Sequence, residues 1–248
     1  MVPPSDSLLN IDVFDGENDQ FQWDVHILIE GTLRASIRYL DTEARTELGE
    51  IEAALKKPFD LEYQEHLVDE HVDVLATNYG QERFLRNMAV VALASRLTHS
   101  LRNMAKSAET FSPRKRRYGN KHKRISEFAQ LWLEYQERFG IDFIANKDRI
   151  AFVDTMREVR NQIVHDGSEA NTLKPLNDID WDSGDAGYLD LWFSQKYPEY
   201  VWGTGMSAEV TVSEEQLQKF IKDSIELVGW LAGELRAMEL KSSRKPTG

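Results

Sequence analysis

The sequence predicts a mainly α-helical bundle with a small β-rich insert before its last helix. Three observations indicate this fold. In most of the 248 residues, apolar side chains recur at intervals of three and four, the period of an amphipathic helix. Residues 168–212 break that period with short aromatic and β-branched runs, which are typical of strands. The helical period then returns, and hydrophobic residues make up 41% of the chain, so we expect one domain over residues 1–248.

Four helical segments are predicted in the first half of the chain. They run from Asp19 to Leu40, from Thr42 to Lys57, from Phe59 to Ala76 and from Gln81 to Ala108. Asp19 is a candidate cap for the first segment, because its carboxylate can accept hydrogen bonds from main-chain N–H groups. Pro58 ends the second segment, since the residue before a proline avoids helical geometry. The fourth segment is the most apolar, and we expect it to be the central helix.

A basic loop follows at residues 112–124. The stretch from Ser112 to Ser126 holds seven Lys and Arg residues and no acidic residue, whereas the whole chain has a net charge of −12. Pro113, Gly119 and the repulsion between like charges favour a loop here. Such a patch on an acidic protein can bind a phosphate backbone locally, while repulsion elsewhere limits nonspecific binding. The alternative is a solvated loop without a ligand.

Two more helices precede the insert. The first runs from Lys123 to Phe139, and Gly140 suits the left-handed residue that ends a helix. The second is capped by Asn146 and ends near Gly167. Its apolar stripe consists of Val153, Met156, Val159 and Ile163.

The insert at residues 168–212 contains three runs that predict short strands or a hairpin, namely YLDLWF, YVWG and AEVTV. Ser213 and Gln216 then form a capping box, the side-chain pattern that starts many helices. The last helix is predicted from this box onward, with apolar residues from Leu217 to Met238 in one stripe.

Several classes of site fit the sequence poorly. There is no cysteine, which excludes disulfides, zinc thiolates and cysteine nucleophiles. The chain lacks both a Gly-x-Ser-x-Gly elbow and a Walker phosphate loop. A metal site on the acidic segment with Glu62, His66 and Asp69 lacks the Glu-x-x-His spacing of di-iron bundles. The calcium-like run at Asp178 has serine and leucine where glycine and glutamate belong. We therefore expect no metal and no cofactor.

The strongest candidate site is the run Arg160-Asn161-Gln162-Ile163-Val164-His165. An arginine followed closely by histidine arises easily by chance, and Arg116 and Arg117 stand before His122 in the basic loop in the same way. Context distinguishes Arg160, because it lies near the end of an amphipathic helix and is followed by asparagine. Asn161 and His165 are four residues apart and therefore share a helix face.

On these six residues, the chain resembles the HEPN superfamily of small α-helical domains. The resemblance implies a bundle that forms a homodimer, with two motif helices in one composite cleft. For active members it implies metal-independent endoribonuclease activity, often in a toxin or antiviral-defence effector, and inactive members serve as binding modules. Arg160, Asn161 and His165 are then the catalytic residues. The alternatives are a noncatalytic HEPN-like module that binds RNA or protein, and an unrelated helical scaffold.

If the resemblance to active HEPN domains holds, RNA is the substrate, and the basic residues are its candidate binding residues. Arg157 lies four residues before Asn161 and can line the same cleft. The others are Arg114, Lys115, Arg116, Arg117, Tyr118, Lys121, Lys123 and Arg124, with Tyr118 available to stack on a base. We also expect a neutralising or sensor partner protein for such an effector.

We expect a cytoplasmic protein with no membrane partner. The first residues, MVPPSDSLLN, lack the basic and then apolar order of a signal peptide. The chain also lacks an uncharged apolar run of about 18 residues, the length that spans a bilayer.

Overall fold

The computed structural model describes residues 11–57, 61–111, 127–143, 145–165, 191–203 and 209–243, and these are mainly α-helical. The helices are α1 (Ile11–Trp23), α2 (Thr32–Leu55), α3 (Leu61–Ser107), α4 (Glu127–Glu134), α5 (Lys147–His165), α6 (Leu191–Lys196) and α7 (Glu214–Ser243). Asp24–Gly31 and Tyr135–Phe139 are π-helical, and Ala108–Thr110 and Pro198–Tyr200 are 3-10 turns. Strands β1 (Val201–Trp202) and β2 (Glu209–Val210) pair antiparallel. The small sheet before the last helix confirms the predicted fold class.

The chain divides into two compact units. One combines Met1–His26, Ala92–Arg160 and Gln218–Gly248, and the other combines Ile27–Val91 and Asn161–Leu217. A single domain over residues 1–248 stays a prediction. The basic loop 112–124 lies outside the described residues, as does the first part of the insert 168–212. None of the helices in the described part is long and apolar enough to cross a membrane.

In the first unit, Glu17 of α1 is the centre of a polar network with α3. Its carboxylate accepts a hydrogen bond from Ser100 Oγ at 2.8 Å, and Arg96 Nη2 and Asn103 Nδ2 each lie 3.4 Å from a carboxylate oxygen. Arg96 also forms an ion pair with Asp24. Ser100 is fully buried, so its hydroxyl needs an acceptor inside the protein. The network therefore holds α1 against α3.

An aromatic cluster in the same unit connects the π-helical segment after α4 with three other elements. The Tyr135 hydroxyl donates a 2.7 Å hydrogen bond to the Leu101 carbonyl oxygen of α3, and burial raises the pKa of this tyrosine. The Tyr135 ring meets Phe143 edge-on, and Phe143 meets Trp230 of α7 in the same way. The Arg149 guanidinium of α5 lies 5.6 Å from the centre of the Trp230 ring. Side-chain packing thus fixes the start of α5.

In the second unit, α3 supports the two-stranded sheet. Val201 pairs with Val210 across the sheet. The Val210 carbonyl oxygen accepts a hydrogen bond of 2.9 Å from the Asn87 side chain. Arg86 Nε donates to the Val212 carbonyl oxygen at 3.1 Å. A sheet of two short strands is marginal alone, and these hydrogen bonds from a helix stabilise it.

The first two predicted helices are one helical stretch from Ile11 to Leu55 with a π-helical interruption. The predicted start at Asp19 is wrong, because α1 begins at Ile11. Phe14 is buried and meets Phe111 edge-on, which stabilises the turns before Asp19. The predicted break at Thr42 is also wrong, since its hydroxyl donates to a carbonyl oxygen of the preceding helical turn at 2.7 Å. The helix ends at Leu55, two residues before the predicted end at Lys57, and Pro58 lies outside the described residues.

The third and fourth predicted helices are likewise one helix, α3. The break predicted between Ala76 and Gln81 is wrong, and Gly80 is helical. A glycine inside a helix costs only about 1 kcal/mol relative to alanine. Next to Gly80, the Asn78 amide lies 3.5 Å from an Asp41 carboxylate oxygen of α2, so the helix is in contact with α2 at this level.

The run YLDLWF was predicted as a strand, and this is wrong for its described part, because α6 begins at Leu191. Tyr197 N–H donates to the Phe193 carbonyl oxygen at 2.8 Å, and both side chains are buried while Gln195 is exposed. This is helical spacing, which six residues are too few to reveal in the sequence. The strands predicted in YVWG and AEVTV are confirmed.

The local signals for helix ends are confirmed more often. Gly140 adopts φ 69° and ψ 22°, the left-handed geometry expected of a helix stop. In the capping box, Gln216 N–H donates to Ser213 Oγ at 3.1 Å, and Ser213 N–H donates to Gln216 Oε1 at 2.7 Å. Asn146 directly precedes α5, but its side-chain amide donates back to the Asp142 carbonyl oxygen at 2.9 Å, and a cap on α5 by this side chain stays a prediction.

Candidate functional site

Helix α5 carries the three candidate catalytic residues, and one of its faces is buried. Val153, Met156 and Val159 are fully buried at intervals of three, as predicted. Gln162 continues this face at 4% exposure, and Ile163 is half-buried. The apolar pattern does not include Gln162 because its side chain is polar, although its three-residue spacing from Val159 indicates the same face. The buried face therefore extends to the last turn of the helix.

Arg160 and Asn161 directly follow Val159 on α5, and both are half-buried. Successive residues of an α-helix are rotated by about 100° around its axis, so Arg160 and Asn161 do not lie on the same face as Val159. Asn161 and His165 are one turn apart, and Arg160 and His165 are separated by about 7.5 Å along the axis, at 1.5 Å per residue. The backbone of α5 thus keeps the three residues on its last turns, in the order that the motif requires.

His165 is the last residue of α5, and Gly167, the predicted stop, lies outside the described residues. The structure describes its backbone at the end of the helix, and its side chain also lies outside the described residues.

Arg157 is the one predicted RNA-binding residue within the described part of the chain. It forms an ion pair with the adjacent Glu158 and is about one-third exposed, with a side-chain relative accessibility of 30%. Its Nε is buried and has no hydrogen-bond acceptor among the described residues. A phosphate would therefore have to compete with Glu158 for this guanidinium. The other eight predicted residues, Arg114, Lys115, Arg116, Arg117, Tyr118, Lys121, Lys123 and Arg124, lie outside the described residues.

The acidic part of α3 is the other candidate from the sequence. His66 Nδ1 lies 4.0 Å from a Glu70 carboxylate oxygen, and both side chains are exposed. Within the ranges that the structure describes, no three His, Asp or Glu side chains are grouped so as to hold a metal ion. The calcium-like run at Asp178 lies outside those ranges.

Comparison with known proteins finds no match: no family model fits the chain, and no curated protein or solved structure is significantly similar to it.

Proposed function

We propose that the protein is a metal-independent endoribonuclease that acts as a toxin or antiviral-defence effector. Its active site is composite and is formed by the ends of two α5 helices in a homodimer. The observation that supports this proposal is that Arg160, Asn161 and His165 occupy the last two turns of one continuous helix. The buried face of α5 fixes the helix in the fold, and the motif residues lie at other angles around the helix axis.

The proposed reaction is cleavage of RNA by its own 2′-hydroxyl group. A base removes the 2′ proton, the oxygen attacks the adjacent phosphorus, and the 5′-oxygen of the next nucleotide leaves with a proton from an acid. The products are a 2′,3′-cyclic phosphate and a 5′-hydroxyl, and water is not consumed. Histidine suits both proton transfers because its ordinary pKa is near 6.5.

One chain supplies one His165, whereas the reaction needs an acid and a base at once. Two copies related by a two-fold axis supply both. The planar guanidinium of Arg160 can bind two phosphate oxygens while negative charge builds up on the phosphorane. Asn161 lies one helical turn before His165, from which its amide orients the imidazole or a phosphate oxygen.

The first experiment is incubation of the purified protein with labelled single-stranded RNA in EDTA. We expect cleavage to persist and to leave cyclic phosphate ends. His165→Ala should abolish cleavage without changing the sedimentation of the dimer, whereas His66→Ala, an exposed histidine on α3, should cleave like wild type. Normal cleavage by His165→Ala contradicts the assignment, and loss of all wild-type cleavage in EDTA points to a metal enzyme.

A second test separates catalysis from binding. Arg160→Lys keeps the charge and loses the two-point contact with phosphate, so we expect kcat to fall by about 10²-fold or more while KM changes little. If the wild type binds RNA without cutting it, and Arg160→Ala weakens that binding, the protein is instead a noncatalytic RNA-binding module.

A further inference from the structure

An apolar stripe runs along the outer face of the first half of α3. It consists of five exposed side chains, Leu61, Val68, Val72, Leu75 and Tyr79, which are between 45% and 72% exposed. Successive members are seven, four, three and four residues apart, as in the heptad pattern of helices that pack against another helix. Glu65 occupies the heptad position between Leu61 and Val68, so the row is continuous from Val68 to Tyr79. Soluble proteins rarely leave such a continuous row of large apolar side chains in water, and a row of this kind indicates a binding surface.

The far end of the apolar stripe is already in contact with the sheet. The Tyr79 ring lies 6.0 Å from the Trp202 ring, centre to centre, and the Arg83 guanidinium lies 5.3 Å from the centre of the Trp202 ring. Trp202 is itself half exposed, so the aromatic pair extends the stripe. Leu61 and Tyr79 are separated by about 27 Å along the helix, at 1.5 Å per residue. A partner helix of about five turns has this length.

One side of the apolar stripe is acidic. Glu62, Glu65, Asp69 and Asp73 are exposed and form what we call the acidic flank. Among the described residues, these four carboxylates take part in no ion pair, and the chain has no Lys or Arg between Lys57 and Arg83. The other side of the stripe carries Gln64, His71 and Asn78. The surface thus combines apolar anchors with uncompensated negative charge on one edge.

We propose that this face of α3 binds a basic amphipathic helix of a partner protein. Apolar residues of that helix at i, i+3, i+4 and i+7 pack on the apolar stripe, and its Lys or Arg residues pair with the acidic flank. A second copy of this chain fits less well, because it brings the same uncompensated carboxylates to the interface and like charges repel. An anionic membrane is disfavoured for the same reason. The inference is independent of the proposed ribonuclease activity.

The test uses two fluorescent 21-residue helical peptides with leucine at heptad positions a and d. One carries lysine at the flanking positions, and its twin carries glutamate. We expect the basic peptide to bind the full-length protein in an anisotropy titration, the acidic twin not to bind, and 0.5 M salt to weaken the binding. His165→Ala should bind the basic peptide like wild type.

Variants place the peptide on the apolar stripe. We expect Val72→Glu with Leu75→Glu to weaken binding at least tenfold, whereas Phe84→Glu, an exposed apolar residue on the opposite side of α3, should have no effect. Glu65→Lys with Asp69→Lys should weaken binding of the basic peptide, while Glu70→Lys, directed away from the stripe, should not. Circular dichroism confirms that each variant is folded.

Three results overturn the proposal. The first is failure of the basic peptide to bind the wild type at protein concentrations up to about 100 μM, which is 100 times a micromolar dissociation constant. The second is equal binding of the acidic twin. The third is a wild-type dimer that sediments as a monomer after Val72→Glu with Leu75→Glu, which assigns the apolar stripe to a second copy of the chain.

Discussion

Removal of the Glu17 carboxylate is the sharpest test of how the first unit is held together. In Glu17→Ala, the fully buried Ser100 hydroxyl loses its charged acceptor at 2.8 Å, and Arg96 and Asn103 lose contacts at 3.4 Å. Hydrogen bonds to charged groups contribute about 1.5–3 kcal/mol, and Arg96 keeps Asp24 as an ion-pair partner. We therefore expect the free energy of unfolding to fall by about 2–3 kcal/mol.

The assay is urea and thermal unfolding followed by circular dichroism. For a chain of this size, a loss of 2–3 kcal/mol lowers Tm by about 4–12 °C. Glu17→Gln should cost less, about 1 kcal/mol, because its amide oxygen still accepts a hydrogen bond from Ser100 while the attraction to Arg96 is lost. Glu47→Ala, an exposed glutamate on α2, is the matched control and should stay within about 0.5 kcal/mol of wild type.

A double-mutant cycle with Ser100→Ala isolates the central hydrogen bond. If the bond stabilises the fold, Glu17→Ala costs about 1–2 kcal/mol less in the Ser100→Ala background than in wild type. An equal cost in both backgrounds refutes the reasoning, because it means that the Glu17–Ser100 contact contributes nothing. Any remaining effect would then come from Arg96 and Asn103.

The remaining predictions concern four single positions. Gly49→Ala should stabilise the protein by up to about 1 kcal/mol, because Gly49 is an exposed helical residue with nothing within 4 Å of an added Cβ. Gly140→Ala should destabilise it by about 1–2 kcal/mol, because Gly140 has φ 69°. The urea midpoints of the two variants should therefore shift in opposite directions. Ser213→Ala should cost about 1 kcal/mol in the same measurement, through loss of the cap on Gln216 N–H. Burial raises the pKa of Tyr200 from 10.0 to about 12, so the phenol keeps its proton to a higher pH in the folded state than in the unfolded state. The contribution of this pKa difference to the free energy of unfolding is fully present below pH 10 and is lost as the pH rises towards 12. The urea midpoint should therefore drop less between pH 9 and 11.5 in Tyr200→Phe than in wild type.

For the proposed ribonuclease site, the sequence alone predicted the order and the spacing of the motif residues. The order Arg160, Asn161, His165 and the amphipathic pattern of α5 are both read directly from neighbouring residues. The ion pair between Arg157 and Glu158 and the burial of Gln162 were not predicted, because which polar side chains are paired or buried depends on the elements packed around them. The exposed apolar stripe of α3 could not be predicted for the same reason, since apolar periodicity alone indicates a buried face as readily as a binding face.

What the sequence by itself determined is local. Gly140 and the Ser213–Gln216 box set helix ends, because each acts through its own backbone or a neighbour three residues away. The tertiary structure decided where helices continue and what short segments become. Phe14 packs on Phe111, a residue distant in the chain, and this contact extends α1 beyond Asp19. Phe193 and Tyr197 are buried one helical turn apart, and α6 begins at Leu191, inside a run predicted as a strand. Burial depends on the elements packed around a segment, and its energy exceeds the small differences in local propensity.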